Sequence, residues 1–171
     1  GRSSGLMSFL RIAHDAGQLY APRIGTAAAD AILGCDVVVT AGKDALARTV
    51  HGRTRVVANV ATTPTAEFTR NADWKFPLGS MEGAIADAVG EDRAWFVDAS
   101  RLAVGLMGDA IAANMFMLGF AWQRGLIPLS ASAIDRAIEL NEVAIEQNRQ
   151  AFLWGRRAAV DLPRIQELVA P

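Results

Sequence analysis

The 171-residue sequence contains one cysteine, Cys35, and two histidines, His14 and His51. A single thiol excludes an internal disulfide, and these three residues offer neither zinc-ligand spacing nor the thiolates that hold an iron–sulfur cluster. Such cysteine usage suits a reducing cytoplasm. No charge sign dominates. Seventeen Lys and Arg face eighteen Asp and Glu, a formal net charge of −1, so the chain lacks the electrostatic footprint of a nucleic-acid or anionic-membrane binder. There is no Gly-x-Gly-x-x-Gly fingerprint and no Walker loop, the usual signatures of a phosphate cradle. Neither histidine has a sequence-defined nucleophile beside it, so no catalytic residue is assigned. No positively charged leader precedes a hydrophobic run, and secretion is not expected. The longest apolar stretch, residues 102–122, includes Asp109, which would cost about 2.5–3.5 kcal/mol near a bilayer centre. A buried helix in a water-exposed protein is expected there, with no membrane partner.

Apolar residues, in contrast, are plentiful. They make up 51% of the chain beside 15 glycines, and mean hydropathy is +0.20. The length suits one domain, here 1–171. A small domain this apolar is expected to cover part of its surface with another chain, so an oligomer is anticipated.

Four short runs read as strands: 7–13, 36–40, 55–60 and 94–98. Val37-Val38-Val39, Val56-Val57-Ala58 and Trp95-Phe96-Val97 do not alternate with polar residues, which suits strands covered on both faces in a parallel sheet. Connecting helices are expected over 26–33, 44–50 and 80–89, the last stopped by Gly90. Loops are expected at 1–5 and at 62–65. From about residue 100 the pattern is helical. Ser100 is expected to cap one helix running to Arg124, where Gly125 and Pro128 end it, and Ser130 or Ser132 to cap a second. Gly105, Gly108 and Gly119 make sense in the first helix only if another backbone packs closely there. The fold expected is α/β, three layers α/β/α with a largely parallel sheet over about 6–99 and a C-terminal helical hairpin over about 100–157.

Two sets of polar residues are candidates for function. Thr40, Gly42, Asn59, Asp98 and Ser100 lie at or just beyond the ends of presumed parallel strands, where open α/β sheets usually bind ligands, so they are assigned to a sheet-edge crevice as candidate cofactor-binding residues. Such residues also start turns and cap helices. The second set lies in the helical region. Asn114 is the only polar side chain in residues 110–122, and Asn141 and Asn148 share a helical stripe with Ile134, Ile138, Ile145, Phe152 and Gly155. A buried amide needs a partner, since leaving one unpaired costs about 1–3 kcal/mol. A backbone group, a water, a partner chain or a ligand would each serve. Gln123, Trp154 and Arg156 complete this interface or buried-polar set, Trp154 as an interface anchor and Arg156 near a helix C-terminus.

The run from Asn114 to Leu129, followed by Ala137-Ile138-Glu139-Leu140-Asn141 and by Asn148-Arg149-Gln150-Ala151-Phe152-Leu153-Trp154-Gly155-Arg156, resembles the gamma domain of 2-oxoacid:ferredoxin oxidoreductases. The indolepyruvate branch is the most similar. Phe9 to Ala13, Ala29-Asp30 and Leu33 to Val39 extend the likeness over nearly the whole chain. The resemblance implies a component of an enzyme that decarboxylates an aryl 2-oxoacid oxidatively to an acyl-CoA and passes electrons to ferredoxin. Thiamine diphosphate and iron–sulfur clusters would lie in partner domains, coenzyme A would be a cosubstrate, and this chain alone would hold no cofactor. A thiamine-diphosphate-binding subunit or domain is the implied partner. Members of the family open with a strand and a glycine-rich turn before the region matched by residue 7, so such a segment is expected to precede residue 1. Two alternatives stand beside this reading: a Rossmann-like NAD(P)-dependent reductase with a helical dimerisation hairpin, and a non-catalytic interaction module.

Overall fold

The computed structural model describes residues 5–62 and 76–170. Most of both expected loops, 1–4 and 63–65, therefore lies outside the described residues. Three strands, β1 (Ala31–Gly34), β2 (Arg55–Asn59) and β3 (Ala94–Val97), form a parallel sheet in the order β1-β2-β3. Leu33 stands opposite Val57, and Val57 opposite Trp95. Between β1 and β2 come two single-turn helices, α1 (Val37–Thr40) and α2 (Lys43–Leu46), and α3 (Leu78–Val89) precedes β3.

The continuous apolar runs in the strands follow from burial on both faces. Successive side chains of a strand point to opposite sides. In β2, Val56 and Ala58 pack with Val37, Ile85 and Val89 in one layer. Val57 packs on the other side with Val97, Leu102, Phe116, Met117 and Phe120. The three-layer α/β/α arrangement with a parallel sheet is thus the one expected from sequence.

Beyond β3 follow α4 (Ala99–Met107), a 3-10 turn at Ala110–Ala112, α5 (Ala113–Gln123), α6 (Ala131–Asn141), α7 (Ile145–Val160) and α8 (Leu162–Leu168). The stem of this region is α5 against α7. A methyl group on Gly119 would overlap the Phe152 carbonyl, and one on Gly155 would overlap the Phe116 carbonyl. The two backbones touch, which is the close approach expected for Gly119. Trp122 and Phe152 meet beside it with ring centroids 6.0 Å apart.

Several expected elements differ, each for a local reason. Residues 7–13 are not a strand, because no ladder pairs with them. Instead the Arg48 guanidinium lies 4.9 Å above Phe9 and that of Arg11 lies 5.4 Å from the Tyr20 ring centre. The helix expected over 26–33 is a turn followed by β1. There the Ala27 amide donates to the Ala47 carbonyl and those of Ala28 and Ala29 to the Arg48 carbonyl, so tertiary pairing overrides alanine's helix propensity. The strand expected over 36–40 is α1, since the Asp36 carboxylate accepts from the Val38 and Val39 amides at 2.8 and 3.4 Å and turns the valine run into a helical turn. Of the helix expected over 44–50 only the start forms, as α2.

The single helix expected from Ser100 to Arg124 is two. Gly108 adopts a left-handed conformation at φ 78°, and the Asp109 carboxylate takes the Ile111 amide to restart the chain. Asp98, not Ser100, caps α4, accepting from the Arg101 amide at 3.0 Å. The second expected helix also divides, at Glu142 and Ala144, both left-handed with φ of 56° and 45°. Ser130 caps α6 as expected, accepting from the Ala133 amide, and Gly125 follows α5 at φ 80°.

Candidate functional site

Asn59 closes β2, and its side chain ties two strand ends to a helix. Its Oδ1 accepts from the Ala61 amide at 3.1 Å and the Ala99 amide at 3.0 Å, while Nδ2 donates to Ser100 Oγ at 3.1 Å. Only 5% of Asn59 is exposed. Among the described residues it is the one buried side-chain amide, and these three hydrogen bonds are internal.

The cluster lies where the C-terminal ends of β2 and β3 meet the start of α4. A depression of about 350 Å³ opens beside it, lined by Ala61, Thr62, Asp98, Ser100, Arg101 and Val104. Asp98 Oδ1 is occupied by the Arg101 amide, and Oδ2 stands 3.9 Å from Arg101 Nε. Among the described lining residues Arg101 is the one cation, and the Asp98 carboxylate offsets it. The charges of these described lining residues therefore balance.

Of the five sheet-edge candidates, the structure brings together Asn59, Asp98 and Ser100. Thr40 and Gly42 belong to α1 and the start of α2. The buried Thr40 hydroxyl donates to the Asp36 carbonyl at 2.6 Å and packs against Gly34, where a methyl group would overlap it. Gly42 precedes α2 as its N-cap. Both positions follow from the α1 helical turn that replaces the expected strand.

The helical set divides differently. Asn114 and Asn141 are exposed, so their expected burial within the chain is corrected. Asn114 faces solvent in the first turn of α5, and Asn141 is the last residue of α6, where the stripe predicted to continue is interrupted. Asn148 is half-buried, and its Nδ2 donates to the Val143 carbonyl at 3.0 Å, satisfying an acceptor at the α6–α7 break. Gln123 Oε1 accepts from Arg156 Nε at 3.0 Å, and the Arg156 guanidinium lies 4.6 Å from the Trp122 ring centre. Trp154, half-buried, carries the Arg157 guanidinium at 4.8 Å.

An ionic latch between α6 and α7 was missed from sequence. Arg149 Nε and Nη2 donate to the two oxygens of Asp135 at 2.6 and 2.9 Å, and Nη2 also reaches Glu139 Oε1 at 2.6 Å. Hydrogen bonding to Arg149 holds the Asp135 carboxyl below its ordinary pKa. Hydrogen bonds from Arg136 and then Arg149 do the same for Glu139. The spacing of Asp135 and Glu139, one turn apart on α6, was the available signal.

No group of three or more His, Cys, Asp or Glu among the described residues is placed to hold a metal ion. Cys35 has surface exposure, yet desolvation of its sulfur raises the thiol pKa, the reverse of what a ligating thiolate needs. One thiol cannot supply an iron–sulfur ligand set. No helix among the described residues is long and apolar enough to cross a membrane.

Against this geometry, a family model for pyruvate ferredoxin/flavodoxin oxidoreductase matches residues 2–158. The chain belongs to that family, and is a component of an oxidoreductase of the 2-oxoacid:ferredoxin type. Complexes of the family use thiamine diphosphate, iron–sulfur clusters and coenzyme A. No curated protein and no solved structure matches the chain.

Proposed function

We propose that the chain is a gamma-type component of an indolepyruvate-type ferredoxin oxidoreductase, forming one domain that supports the catalytic subunits without carrying a cofactor. The complex would decarboxylate an aryl 2-oxoacid to its acyl-CoA and reduce ferredoxin in the cytoplasm. Thiamine diphosphate and the clusters would sit in the companion subunit or domain. The observation that carries this reading is the family match over residues 2–158. The branch and the gamma assignment rest on the resemblance of Asn114 to Leu129 and of Asn148 to Arg156. Both segments belong to the α5–α7 stem and its flanks, whose polar residues Gln123, Trp154 and Arg156 reach the surface.

The chemistry of the described residues supports a scaffold role. Asn59 makes three internal hydrogen bonds, Asp98 caps a helix, and the charges of the described lining residues beside them balance. These groups hold strand ends in place and present no paired acid and base to a substrate.

The test is reconstitution. The chain, co-purified with its thiamine-binding companion, is expected to reduce ferredoxin with indolepyruvate and coenzyme A, and to be inactive alone. Preference for pyruvate over aryl 2-oxoacids would remove the branch assignment. A stable monomer with no affinity for the companion, measured by size exclusion with light scattering, would remove the subunit role.

A further inference from the structure

Four arginines bear on the end of α5 and the second half of α7: Arg124, Arg156, Arg157 and, reaching over from β2, Arg55. Arg55 donates through Nη1 and Nη2 to the Arg124 and Gly125 carbonyls at 3.1 and 2.9 Å. Arg124 lies 5.4 Å from the Trp95 ring centre, Arg156 4.6 Å from that of Trp122, and Arg157 4.8 Å from that of Trp154. None of the four joins an ion pair among the described residues. Arg156 and Arg157 face a single acid, Asp161, in the described lining beside them, so positive charge is in excess there.

Beside Arg156 and Arg157 a depression of about 430 Å³ is floored by Leu153, Val160 and Ile165. Val160 is 74% exposed. The one acid in the described lining, Asp161, caps α8 by accepting from the Arg164 amide at 3.1 Å, and its single charge leaves the two guanidiniums in excess. Gln123 occupies Arg156 Nε, and the terminal nitrogens of Arg156 and Arg157 make no hydrogen bond to another described residue. A guanidinium held beside an indole presents such nitrogens to a carboxylate. Stacked Arg–Trp pairs around an apolar floor are also the side chains that dominate protein interfaces.

We infer that this surface docks an acidic segment of the companion oxidoreductase subunit, with a carboxylate between Arg156 and Arg157 and a neighbouring aliphatic side chain over Leu153 and Val160. The inference rests on the subunit role proposed above. Charge complementarity selects an acidic segment, and the open apolar floor favours a protein side chain over a small anion.

The experiment measures binding of the full chain to the purified companion subunit across a salt series. The proteins are wild type, the double variant Arg156→Ala/Arg157→Ala, the double variant Arg156→Lys/Arg157→Lys, and the control Arg53→Ala, whose partner Asp30 lies elsewhere. The alanine pair is expected to weaken binding by at least about 30-fold and to flatten the salt dependence. The lysine pair, which keeps the charge without the planar fork, should fall between, and the control should match wild type. Circular dichroism checks that each variant is folded. Wild-type binding with no change in either double variant would overturn the docking site and leave the subunit role standing. A selective rise in the KM for coenzyme A with assembly intact would overturn it too, assigning the surface to a small anion. Failure of wild type to bind the companion would remove the subunit role itself.

Discussion

Asn59 accepts two backbone amides through a single oxygen, that of the fully buried Ala99 and that of the half-buried Ala61. Asn59→Ala leaves the Ala61 and Ala99 amides without that acceptor, and the buried Ala99 donor alone should cost about 1–3 kcal/mol. Urea unfolding of the purified chain measures it. Two glycine classes should respond oppositely. Gly155→Ala drives a methyl into the Phe116 backbone and should destabilise by about 1–3 kcal/mol or more. Gly83, exposed within α3 with nothing close to its missing Cβ, should gain up to about 1 kcal/mol on replacement by alanine. Thermal melts of both variants decide between these signs. At this scale the sequence was only partly legible. Asn59 was visible as the polar end of an apolar strand. Asn114 and Asn141 looked buried because apolar residues surround them in sequence, yet burial belongs to the face a side chain occupies once helix breaks are in place.

The helix α6 rests on α7 through a small apolar patch, Ile134 and Ile138 on Phe152, and through Arg149. Asp135 and Glu139 have lowered pKa values in the folded chain. Their contribution is therefore complete above the ordinary carboxylate range, near pH 4, and is lost as pH falls through the lowered values. Hydrogen exchange within residues 131–141 should accelerate below about pH 4 while α5 and α7 stay protected. Arg149→Met should produce the same acceleration at neutral pH. The hinge after α6 carries strain, since Ala144 at φ 45° sits where a Cβ costs about 1–2 kcal/mol. Ala144→Gly should raise the melting temperature, because the relief of about 1–2 kcal/mol exceeds the cost of about 0.4–1 kcal/mol from the freer unfolded chain. The layer order, β2, β3 and α3 were legible because apolar runs and Gly90 act locally. Less legible were α1 and the breaks at Gly108 and Glu142, where one Asp cap or one left-handed residue outweighs a run of favourable neighbours.

At the scale of the molecule, a run of apolar side chains near the N-terminal end of the described residues lies outside the core. Leu6, Leu10 and Tyr20 are 94%, 75% and 82% exposed along a segment without strands. Protease sensitivity should be greatest there in the isolated chain and fall when the companion subunit is present; limited proteolysis with mass spectrometry reads the difference. The stem responds to solution conditions in another way. At Gly119 and Gly155 the helices α5 and α7 meet backbone to backbone, a contact of dispersion and shape with no charge in it. Ions screen charges in water but not this contact. Raising ionic strength should therefore act as a selective solvent, releasing whatever acidic chain the arginines hold while the subunit elutes with its helical stem still folded.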